Sequence, residues 1–508
     1  MKLLLGPLLY SVPENAADAW SFRVHVYVAG PPNVSALSLK TEPASTILPP
    51  ALVADFSSLP EVGGSLWAWK VTVPRKSEQQ SLKYTIEGLD QPIDVDGVKI
   101  PATGELPRFA FFSCNGVSDE KYWRHLESPY ACWKDLRAQH DGQGLHLLIG
   151  GGDQLYCDSL FESNFYLRED FKHWSRHDKV NRPVPSTFAQ QMRVEYIRLY
   201  LQRWGQQSGI GHGLARIPGL FTWDDHDIFD GWGSLGELQK SPHYIAMYQA
   251  ARETFAAFQL GMTPPQAGHF FQRADFQGAE TDLTVLMLDS RSDRTMSTIL
   301  SDQQWAHLDQ TLVNIAASRA APARKLHVVV VSSVPVVNMA FGSGTEAAAG
   351  ILGLKDDLID QWESGHHRGE RARLLMTLLD AVPDARCAVT VLAGDIHVGS
   401  RARIRSRNPR QMLSGKETVI EQVTSSAILH PAPSGVEFWA MRSLSGKSPD
   451  DFSPLVATES VHVAGDMYLR ERNWLLGSFD AVGSKGRLWL QFRAESGPVA
   501  LQTCVEAP

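Results

Sequence analysis

The chain has 508 residues, a length that predicts roughly two to four domains, or one large catalytic domain with an appendage. Its content of 43% hydrophobic and 20% charged residues is ordinary for globular proteins and excludes a disordered, collagen-like or disulfide-stapled chain. The formal net charge of −8 argues against an extended surface for nucleic acids or anionic membranes.

The cysteines and the apolar runs indicate in which cellular compartment the protein is expected. The five cysteines are scattered and lack CxxC spacing, so we predict neither a disulfide framework nor a thiolate zinc knuckle. No stretch approaches 18 consecutive apolar residues, which argues against a membrane-spanning helix. The apolar run at 1–10 resembles a short signal peptide, but Pro7 interrupts it. We therefore expect a cytoplasmic protein, with export as the alternative.

Alternation of apolar and polar residues is the main pattern of the first hundred residues. It occurs at 22–28, 67–73 and 82–86, with Gly, Pro and Ser turns between these segments. The pattern predicts a small antiparallel β-sandwich, of immunoglobulin or fibronectin type, over residues 1–100. Two prolines bracket a short polar stretch at 101–107, which we interpret as a linker.

After the linker, apolar runs alternate with helical patterns up to about residue 430. This alternation is typical of an α/β domain, and strand patterns return near the end, so we predict one catalytic domain over residues 108–508. Buried strands are predicted at 108–113, 145–150, 220–222, 283–288, 326–331 and 388–393. Helices are predicted at 191–204, 244–260, 303–318 and 371–381.

Each predicted strand is followed by side chains that can carry chemistry. Ligands in α/β folds gather outside the carboxyl ends of strands, so we expect these side chains to lie at one edge. The segments are Cys114-Asn115, Asp153 to Tyr156, Asp224 to Asp227, Asp289 to Arg294, Ser332-Ser333 and Asp395 to His397. The pattern predicts an acidic site that holds metal.

Simpler interpretations exist for single members of this set. An Asp after a strand is usually a turn residue or a helix N-cap, and Cys114 alone could be a small buried hydrophobe. The run Asp224-Asp225-His226-Asp227 is different. Its adjacent charges would repel one another at a buried strand end unless a cation or a hydrogen-bond network offset the repulsion. We therefore interpret this run as metal-binding.

In their order along the chain, the motifs resemble those of the PhoD-like alkaline phosphatases, a family of the metallophosphoesterase superfamily. The matching motifs are Ser113-Cys114, Gly152-Asp153-x-x-Tyr156, Trp223-Asp224-Asp225-His226-Asp227, Asp289-x-Arg291-x-x-Arg294 and Gly394-Asp395-x-His397. Many relatives have Glu and two asparagines after Asp-Asp-His, whereas Ile228-Phe229-Asp230 follows Asp227 in this chain, which predicts a divergent branch. The resemblance covers most of the chain. It implies an N-terminal β-sandwich and then two packed β-sheets flanked by helices, a four-layer arrangement.

The resemblance also implies two metal ions, Fe³⁺ with Ca²⁺, the second ion alternatively being Mn²⁺, Mg²⁺ or Zn²⁺. Asp153 would bridge the ions, and the implied metal ligands are Cys114, Asp153, Tyr156, Asp225, Asp395 and His397. Thiolate, phenolate and carboxylate donors suit a hard trivalent ion, and an oxygen-rich set suits calcium, magnesium or manganese. His226 and Asp224 would be catalytic, with His226 contacting the phosphate and stabilising or protonating the leaving group. The candidates for substrate binding are Asn115, Arg291 and Arg294.

Two points about these residues stay open at the level of sequence. Arg291 and Arg294 would form ion pairs with Asp289 and Asp293 if they do not bind the phosphoryl group. Three aromatic residues near the motif form either an apolar collar for an alcohol leaving group or part of the core, namely Trp223, Phe229 and Trp232.

The predicted activity is metal-dependent hydrolysis of small-molecule phosphate esters, as a phosphomonoesterase, a phosphodiesterase or both. A non-catalytic protein that binds metal or phosphate is the alternative. A serine hydrolase is disfavoured because no Gly-x-Ser-x-Gly follows a strand, and no Walker A loop or Gly-x-Gly-x-x-Gly fingerprint is present. The physiological ester and the oligomeric state stay open, since selectivity depends on loops within 160–215 and 335–370.

Overall fold

The structure is a computed structural model that describes most of the chain. The residues outside the description are 33–36, 119–122, 124–125, 127, 206–208, 319–323, 339–360, 409–417, 436–437, 439–454, 464 and 508, with the side chains of 500–502. Much of the predicted selectivity loop at 335–370 therefore lies outside the described residues.

Strands occur from the first residues to the last. They are β1 (Leu3–Ser11), β2 (Glu14–Asn15), β3 (Ala19–Ala29), β4 (Ser38–Glu42), β5 (Thr46–Ile47), β6 (Ala51–Asp55), β7 (Gly64–Pro74), β8 (Gln80–Glu87), β9 (Ile93–Ile100), β10 (Phe109–Phe112), β11 (Leu147–Gly151), β12 (Gly219–Thr222), β13 (Gln272–Phe276), β14 (Thr281–Met287), β15 (Lys325–Ser332), β16 (Ala388–Ala393), β17 (Gly399–Ser406), β18 (Val419–Thr424), β19 (Val456–Val461), β20 (Tyr468–Leu469), β21 (Asn473–Phe479), β22 (Leu488–Ala494) and β23 (Gly497–Val505).

The helices lie between the strands of the central part of the chain. The described α-helices are α1 (Ala131–Gln143), α2 (Leu160–Ser163), α3 (Phe165–Glu169), α4 (Arg176–Asn181), α5 (Phe188–Arg203), α6 (Gly211–Leu214), α7 (Pro242–Phe258), α8 (Asp302–Ser318) and α9 (Arg368–Ala385). Short 3-10 helices occur at Cys157–Ser159, Phe171–His173, Asp225–Asp227 and Gly236–Lys240. None of the described helices is both long enough and apolar enough to cross a membrane.

The described strands form two large sheets and one small sheet. The first large sheet has the order β23-β22-β21-β10-β11-β12-β1-β3-β7-β5, with β6 also paired to β7. The second has the order β19-β17-β18-β16-β15-β14-β13-β2, with β20 also paired to β17. The neighbours β10, β11 and β12 are parallel in the first sheet, and β14, β15, β16 and β18 are parallel in the second. Each sheet therefore has an edge where several carboxyl ends meet.

Side-chain alternation along the strands produces four layers. Phe109 and Phe111 of β10 point into a core shared with Val329 of β15, so that core lies between the two large sheets. Ala110 of β10 joins a second core, which includes residues of α1, α5 and α7. Val328 of β15 joins a third core, which includes residues of α8 and α9. The mixed α/β fold of packed sheets and helices is thus as expected for the predicted catalytic domain.

The N-terminal strands differ from the expectation of a separate β-sandwich. Residues 1–100 are all-β as predicted, and Phe22 of β3 shares a core with Leu82 of β8 in the small sheet, β4-β8-β9. However, β1 pairs in parallel with β12 and antiparallel with β3, so these strands extend the first large sheet. The predicted boundary between residues 1–100 and 108–508 therefore does not separate two sheets, because hydrogen bonding continues across it.

The predicted linker at 101–107 is also packed against the fold. The guanidinium of Arg75, which is 8% exposed, donates to the carbonyl oxygens of Pro101 at 3.2 Å and Ala16 at 3.0 Å. It also donates to the carbonyl oxygens of Ala102 and Glu105. These bonds hold the segment against the N-terminal strands, which sequence periodicity does not reveal.

A buried histidine on β15 makes stability depend on pH. His327 is 1% exposed, its Nε2 bonds to the carbonyl oxygen of Gly486 at 2.8 Å, and its Nδ1 has no hydrogen-bond partner among the described residues. Burial lowers the pKa of His327 from 6.5 to about 4. Only the unfolded chain then takes up a proton as the pH falls below 6.5, so stability is full above pH 6.5 and is lost towards pH 4.

We expect His327→Gln to remove part of this loss while keeping a donor for Gly486. Between pH 7.5 and pH 5 the wild type should lose about 2 kcal/mol more unfolding free energy than the variant does. Urea unfolding at the two pH values measures this difference. His177→Gln, on an exposed residue of α4, should leave the pH dependence unchanged. Equal losses in His327→Gln and wild type would contradict the assignment.

Candidate functional site

The loops that follow the parallel strands of the two large sheets meet at one edge. Thr222, the last residue of β12, donates from Oγ1 to the carbonyl oxygen of Leu288 after β14 at 2.8 Å. Ser113 after β10 donates from Oγ to the carbonyl oxygen of Ser425 after β18 at 3.3 Å. These bonds join one sheet to the other and bring the polar residues after the strands together.

Two glycines allow the loops to approach closely. Gly152 has a φ of +102°, and a Cβ there would lie 2.8 Å from Cβ of Asp224 and 3.0 Å from Cβ of Ser333. A Cβ on Gly394 would lie 2.5 Å from Cβ of Ser113. A larger residue at either position would push the loops apart, so close packing explains the glycine in both Gly-Asp motifs.

The candidate ligands share an unusual backbone conformation. The φ angles are 52° at Cys114, 57° at Asp153, 63° at Tyr156, 73° at Asp395 and 54° at His397. Among the described residues, these are five of the seven non-glycine residues with positive φ. Each such residue costs on the order of 1–3 kcal/mol, and such strain clusters at functional sites. Backbone strain therefore marks the same residues as the sequence motifs do.

Asp153 belongs to two groups of potential metal ligands. Donor atoms of Asp153, Asp225 and His226 all lie within 4.8 Å of one another, and so do donor atoms of Asp153, Asp224 and Asp395. Asp153 is the member common to both groups. Since a carboxylate has two oxygens, the arrangement fits two cations that share Asp153.

The carboxyl group of Asp153 lacks the partners that a buried carboxylate needs. It is 1% exposed, and its Oδ1 has no hydrogen-bond partner among the described residues. Burial raises the pKa of Asp153 well above its usual value; His226 opposes this rise, while the charges of Asp224 and Asp225 add to it. A cation would offset both the burial and the repulsion, so this donor set fits a metal.

Cys114 contacts the same acidic groups. Its Sγ lies 3.5 Å from Oδ2 of Asp153, 3.6 Å from the carbonyl oxygen of Asp395 and 3.1 Å from Oγ of Ser426. Burial raises the pKa of the Cys114 thiol, and the carboxylates of Asp153 and Asp395 raise it further. These polar contacts distinguish Cys114 from a cysteine that only fills the core.

Tyr156 and His397 are hydrogen-bonded to each other. The phenol oxygen of Tyr156 lies 3.1 Å from Nε2 of His397, and the Tyr156 ring stacks on His226 with ring centroids 4.4 Å apart. Burial raises the pKa of Tyr156 and lowers the pKa of His397. A protonated phenol and a neutral imidazole thus share this hydrogen bond, whose direction depends on the tautomer of His397. Loss of the phenol proton would leave two donors suited to a metal.

Asp158 holds the imidazole of His226. Nδ1 of His226 lies 2.6 Å from Oδ2 of Asp158, whose Oδ1 accepts a hydrogen bond from the backbone N–H of Asp230 at 2.7 Å. Burial lowers the pKa of His226, but the charges of Asp158, Asp225 and Asp153 outweigh it and raise the pKa well above its usual value. With Nδ1 bound to Asp158, Nε2 is the nitrogen left for the site.

Asp158→Asn is expected to weaken catalysis without removing metal. Asparagine keeps the shape but loses the charge that orients His226, so we expect kcat to fall about 10–100-fold at unchanged metal content. Steady-state kinetics and metal analysis of the purified variant measure both quantities. Asp170→Asn, on an exposed residue of the same segment, serves as the control. Metal loss in Asp158→Asn would instead place Asp158 among the ligands.

Arg291, a predicted substrate ligand, is buried against two carboxylates of the Asp-Asp-His-Asp run. Its side chain is 0% exposed. Its Nε donates to Oδ1 of Asp224, its Nη2 lies 3.3 Å from Oδ1 of Asp225, and its Nη1 donates to the carbonyl oxygen of Trp232 at 2.9 Å. The ion pairs are with Asp224 and Asp225, not with Asp289 as the alternative had it. In the described structure this buried guanidinium therefore orients two candidate site carboxylates, and binding of a phosphoryl group by Arg291 stays a prediction.

Arg294 and Asn115 are also buried. Arg294 is 1% exposed, and its aliphatic stem lies directly against Gly233. Asn115 is 2% exposed, its Oδ1 accepts a hydrogen bond from Trp133 at 2.8 Å, and its Nδ2 has no partner within the described part of the chain.

Asp227, the last carboxylate of the Asp224-Asp225-His226-Asp227 run, holds two of the loops together. Asp227 accepts hydrogen bonds from the backbone N–H groups of Gln154 at 2.9 Å and Asp224 at 3.0 Å. Asp289 accepts one from Nε1 of Trp223 at 2.7 Å. A hydrogen-bond network therefore offsets the charge of Asp227.

The three aromatic residues near the motif are core residues. Trp223 is 0% exposed and stacks on Phe255 at 4.6 Å, and Trp232 is 4% exposed and stacks on Tyr248 at 4.5 Å. Phe229 is 2% exposed. They do not form an open collar around a leaving group, because the helical layer covers them.

Two residues at this edge were missed from the sequence, Asp158 and His430. Asp158 follows Tyr156 by two positions, and in the sequence it resembles an ordinary residue at the N-terminus of a helix. His430 lies in the loop after β18, whose hydrogen bonds to the loop after β10 bring it beside Cys114. The run 419–424, followed by two serines and then His430, carries the same signal as the six predicted strands and could have revealed that loop.

Sequence comparison relates the chain to a described family and to a yeast protein. Residues 109–264 match the family described as PhoD related phosphatase. A protein of Saccharomyces cerevisiae with the name "Uncharacterized protein YGR266W" is 22% identical over 504 residues, covering 80% of this chain and 70% of that protein.

Solved structures add little to this result. "GAP50 the anchor in the inner membrane complex of Plasmodium" aligns with a TM-score of 0.39 and 11% identity over 79% of this chain and 89% of that chain. Amylomaltase from Corynebacterium glutamicum aligns with a TM-score of 0.13 and 17% identity over 29% and 21%. Both TM-scores lie below 0.5, so neither likeness carries an argument.

Proposed function

Because residues 109–264 match the family described as PhoD related phosphatase, we propose that the chain hydrolyses small-molecule phosphate esters at a site for two metal ions. The family implies a hydrolase of phosphoesters. The observation that supports a site for two metal ions is the pair of ligand groups that share Asp153. When bound, two such ions would activate a water and offset the charge of the phosphoryl oxygens.

The donors divide into two sets around Asp153. Asp225 forms one group with it, beside His226, and Asp224 and Asp395 form the other. We propose that His226 borders the first ion without binding it. Asp224, expected from the sequence to be catalytic, is proposed as a carboxylate of the second group, since Arg291 fixes its orientation.

The second set also includes donors other than carboxylates. Cys114 contacts Asp153, and Tyr156 is bonded to His397, which follows Asp395 by two positions. Thiolate, phenolate and imidazole with carboxylates suit Fe³⁺, whereas the carboxylate-rich first group suits Ca²⁺, Mn²⁺, Mg²⁺ or Zn²⁺.

His226 is the candidate proton donor for the leaving alcohol. Its Nδ1 is held by Asp158, so the ring presents Nε2 in a fixed direction. A ring nitrogen of His226 lies within 4.8 Å of oxygens of Asp153 and Asp225. A positioned imidazole of this kind contributes roughly 10²–10⁴-fold to proton transfer. We propose that Asn115 Nδ2 donates to a phosphoryl oxygen.

Metal analysis and hydrolysis assays test this function together. The full chain is purified without added metal, analysed for iron, calcium, manganese and zinc, and assayed with an aryl phosphomonoester and a bis-aryl phosphodiester. We expect two metals per chain, iron among them, and hydrolysis that a chelator abolishes and metal restores. The better ester then defines the class. Metal without turnover of either ester favours the non-catalytic alternative, and no metal after reconstitution refutes the site.

A further inference from the structure

His430 is fastened to the candidate site by its backbone. Its N–H donates to the carbonyl oxygen of Cys114 at 3.1 Å, as the N–H of Leu429 does at 3.4 Å. The N–H of Ile428 donates to the carbonyl oxygen of Ser113 at 3.0 Å. Three consecutive residues after β18 thus lie against the loop after β10, so the position of His430 is set by the same contacts that hold Cys114.

The ring of His430 is also fixed in orientation. Its Nδ1 lies 2.9 Å from the carbonyl oxygen of Pro431. Its face stacks on His397, with ring centroids 3.8 Å apart and planes 17° from parallel. A looser stack on Tyr156 has centroids 5.5 Å apart and planes 20° from parallel. The ring therefore contacts both partners of the bond between Tyr156 and His397.

Two contacts with described residues hold the His397 ring, namely the stack on His430 and the hydrogen bond to Tyr156. In the described part of the chain, its Nε2 meets the phenol oxygen of Tyr156 at 3.1 Å, and its backbone N–H donates to Oγ of Ser426 at 3.1 Å. Its φ of 54° is a strained conformation that the surroundings must enforce. The side chain is thus held by one hydrogen bond and by the face of His430.

We infer that His430 is a positioning residue, whose ring face holds His397 and Tyr156 in the geometry that binds metal. The inference rests on the proposed function, since it assigns His430 to the metal site proposed there. Ligands whose rings are already oriented lose less conformational freedom when metal binds, and removing such support typically costs about 10–100-fold in metal affinity.

His430 positions His397 through the face of its ring and not through a ring nitrogen. Two nearly parallel imidazoles 3.8 Å apart present their nitrogens in two separate planes, so His430 and His397 do not point at one position. Nδ1 of His430 is already used by Pro431. A flat aromatic ring without nitrogens should therefore replace His430, whereas a polar side chain without a ring should not.

Metal titration of the full chain tests this distinction. Metal-free wild type, His430→Phe, His430→Ala and His430→Gln are reconstituted with iron, and the iron that each retains against graded chelator concentrations gives its apparent dissociation constant for iron. We expect the dissociation constant to rise about 10–100-fold in His430→Ala and His430→Gln. His430→Phe should stay within about threefold of wild type, because it keeps the stack. His462→Ala, at an exposed histidine, should bind as wild type does.

Two outcomes overturn the inference while leaving the proposed function intact. His430→Phe binding as weakly as His430→Ala would show that a nitrogen matters, and His430→Ala binding as tightly as wild type would show that the stack is dispensable. Urea unfolding of the metal-free variants separates affinity from folding, since His430→Phe and wild type should unfold alike. A wild type that binds no metal overturns the proposed function and this inference together.

Discussion

Asp153→Asn is expected to abolish phosphate ester hydrolysis and to empty at least one metal position. Asp153 is the member shared by both ligand groups, so its loss affects both positions. Asparagine keeps the size of the side chain but supplies one neutral oxygen where two anionic oxygens stood. Because a bound metal supplies several kcal/mol to the transition state, hydrolysis should fall at least about a thousandfold.

Metal analysis and hydrolysis of an aryl phosphomonoester measure the two effects in one preparation. Asp96→Asn changes an exposed carboxylate on β9 by the same substitution and should leave both unchanged. If Asp153→Asn kept its full metal content and lost activity, Asp153 would be a catalytic group rather than a bridging ligand. Full activity in the variant would refute the proposed site.

The same substitution should stabilise the metal-free protein. Asp153 is buried beside Asp224 and Asp225, and the charges of the two neighbours raise its pKa beyond the effect of burial. Removing one charge from this group relieves repulsion, so metal-free Asp153→Asn should unfold at a higher urea concentration than metal-free wild type. With metal present the order should reverse, because the ions bind the folded wild type. Equal midpoints without metal would contradict this account.

Arg291→Leu is expected to cause the largest loss of stability. Arg291 is fully buried and pairs with Asp224 and Asp225, and its Nη1 also holds the carbonyl oxygen of Trp232. Leucine would leave two buried carboxylates without their cation. Breaking a buried ion pair from one side typically costs about 3–5 kcal/mol of unfolding free energy, and we expect a loss of that size in the metal-free protein.

A surface arginine is the matched control for this substitution. Arg137 lies 3.6 Å from Asp141 on α1, and both side chains are more than half exposed, at 57% and 58%. Arg137→Leu should change the unfolding free energy by less than about 1 kcal/mol. Urea unfolding of both variants gives the comparison. A small stability loss in Arg291→Leu together with a large rise in KM would restore Arg291 as a substrate ligand.

The six strands and four helices that local periodicity predicted in the α/β part are all present. The predicted strand at 326–331 lies within β15, and the predicted helix at 303–318 matches α8. A strand that is buried on both faces has a continuous run of apolar residues, and a helix that is buried along one stripe has apolar residues at helical spacing. Both patterns can be recognised from the sequence alone. The same holds for the alternating strands β3 and β7 of the N-terminal part.

Strand pairing could not be predicted in this way, because alternation of apolar and polar residues identifies a strand but not the strand that it pairs with. It identified β1 to β9 as an all-β segment but did not show that β1 pairs with β12, more than 200 residues away along the chain. The β-sandwich over residues 1–100 stays a prediction, and alternation did not show that its first strand also pairs with a strand of the later part. Hydrogen bonds between strands depend on tertiary placement, which local sequence does not encode.

By itself the sequence determined which residues lie at the carboxyl ends of strands. Cys114, Asp153 and Asp395 were identified this way, since buried strands and the polar residues after them are local features. Tertiary structure alone decided which side chains face each other. It turned Arg291 away from solvent, and it brought His430 to the site, because these roles depend on contacts between loops that are far apart in the chain.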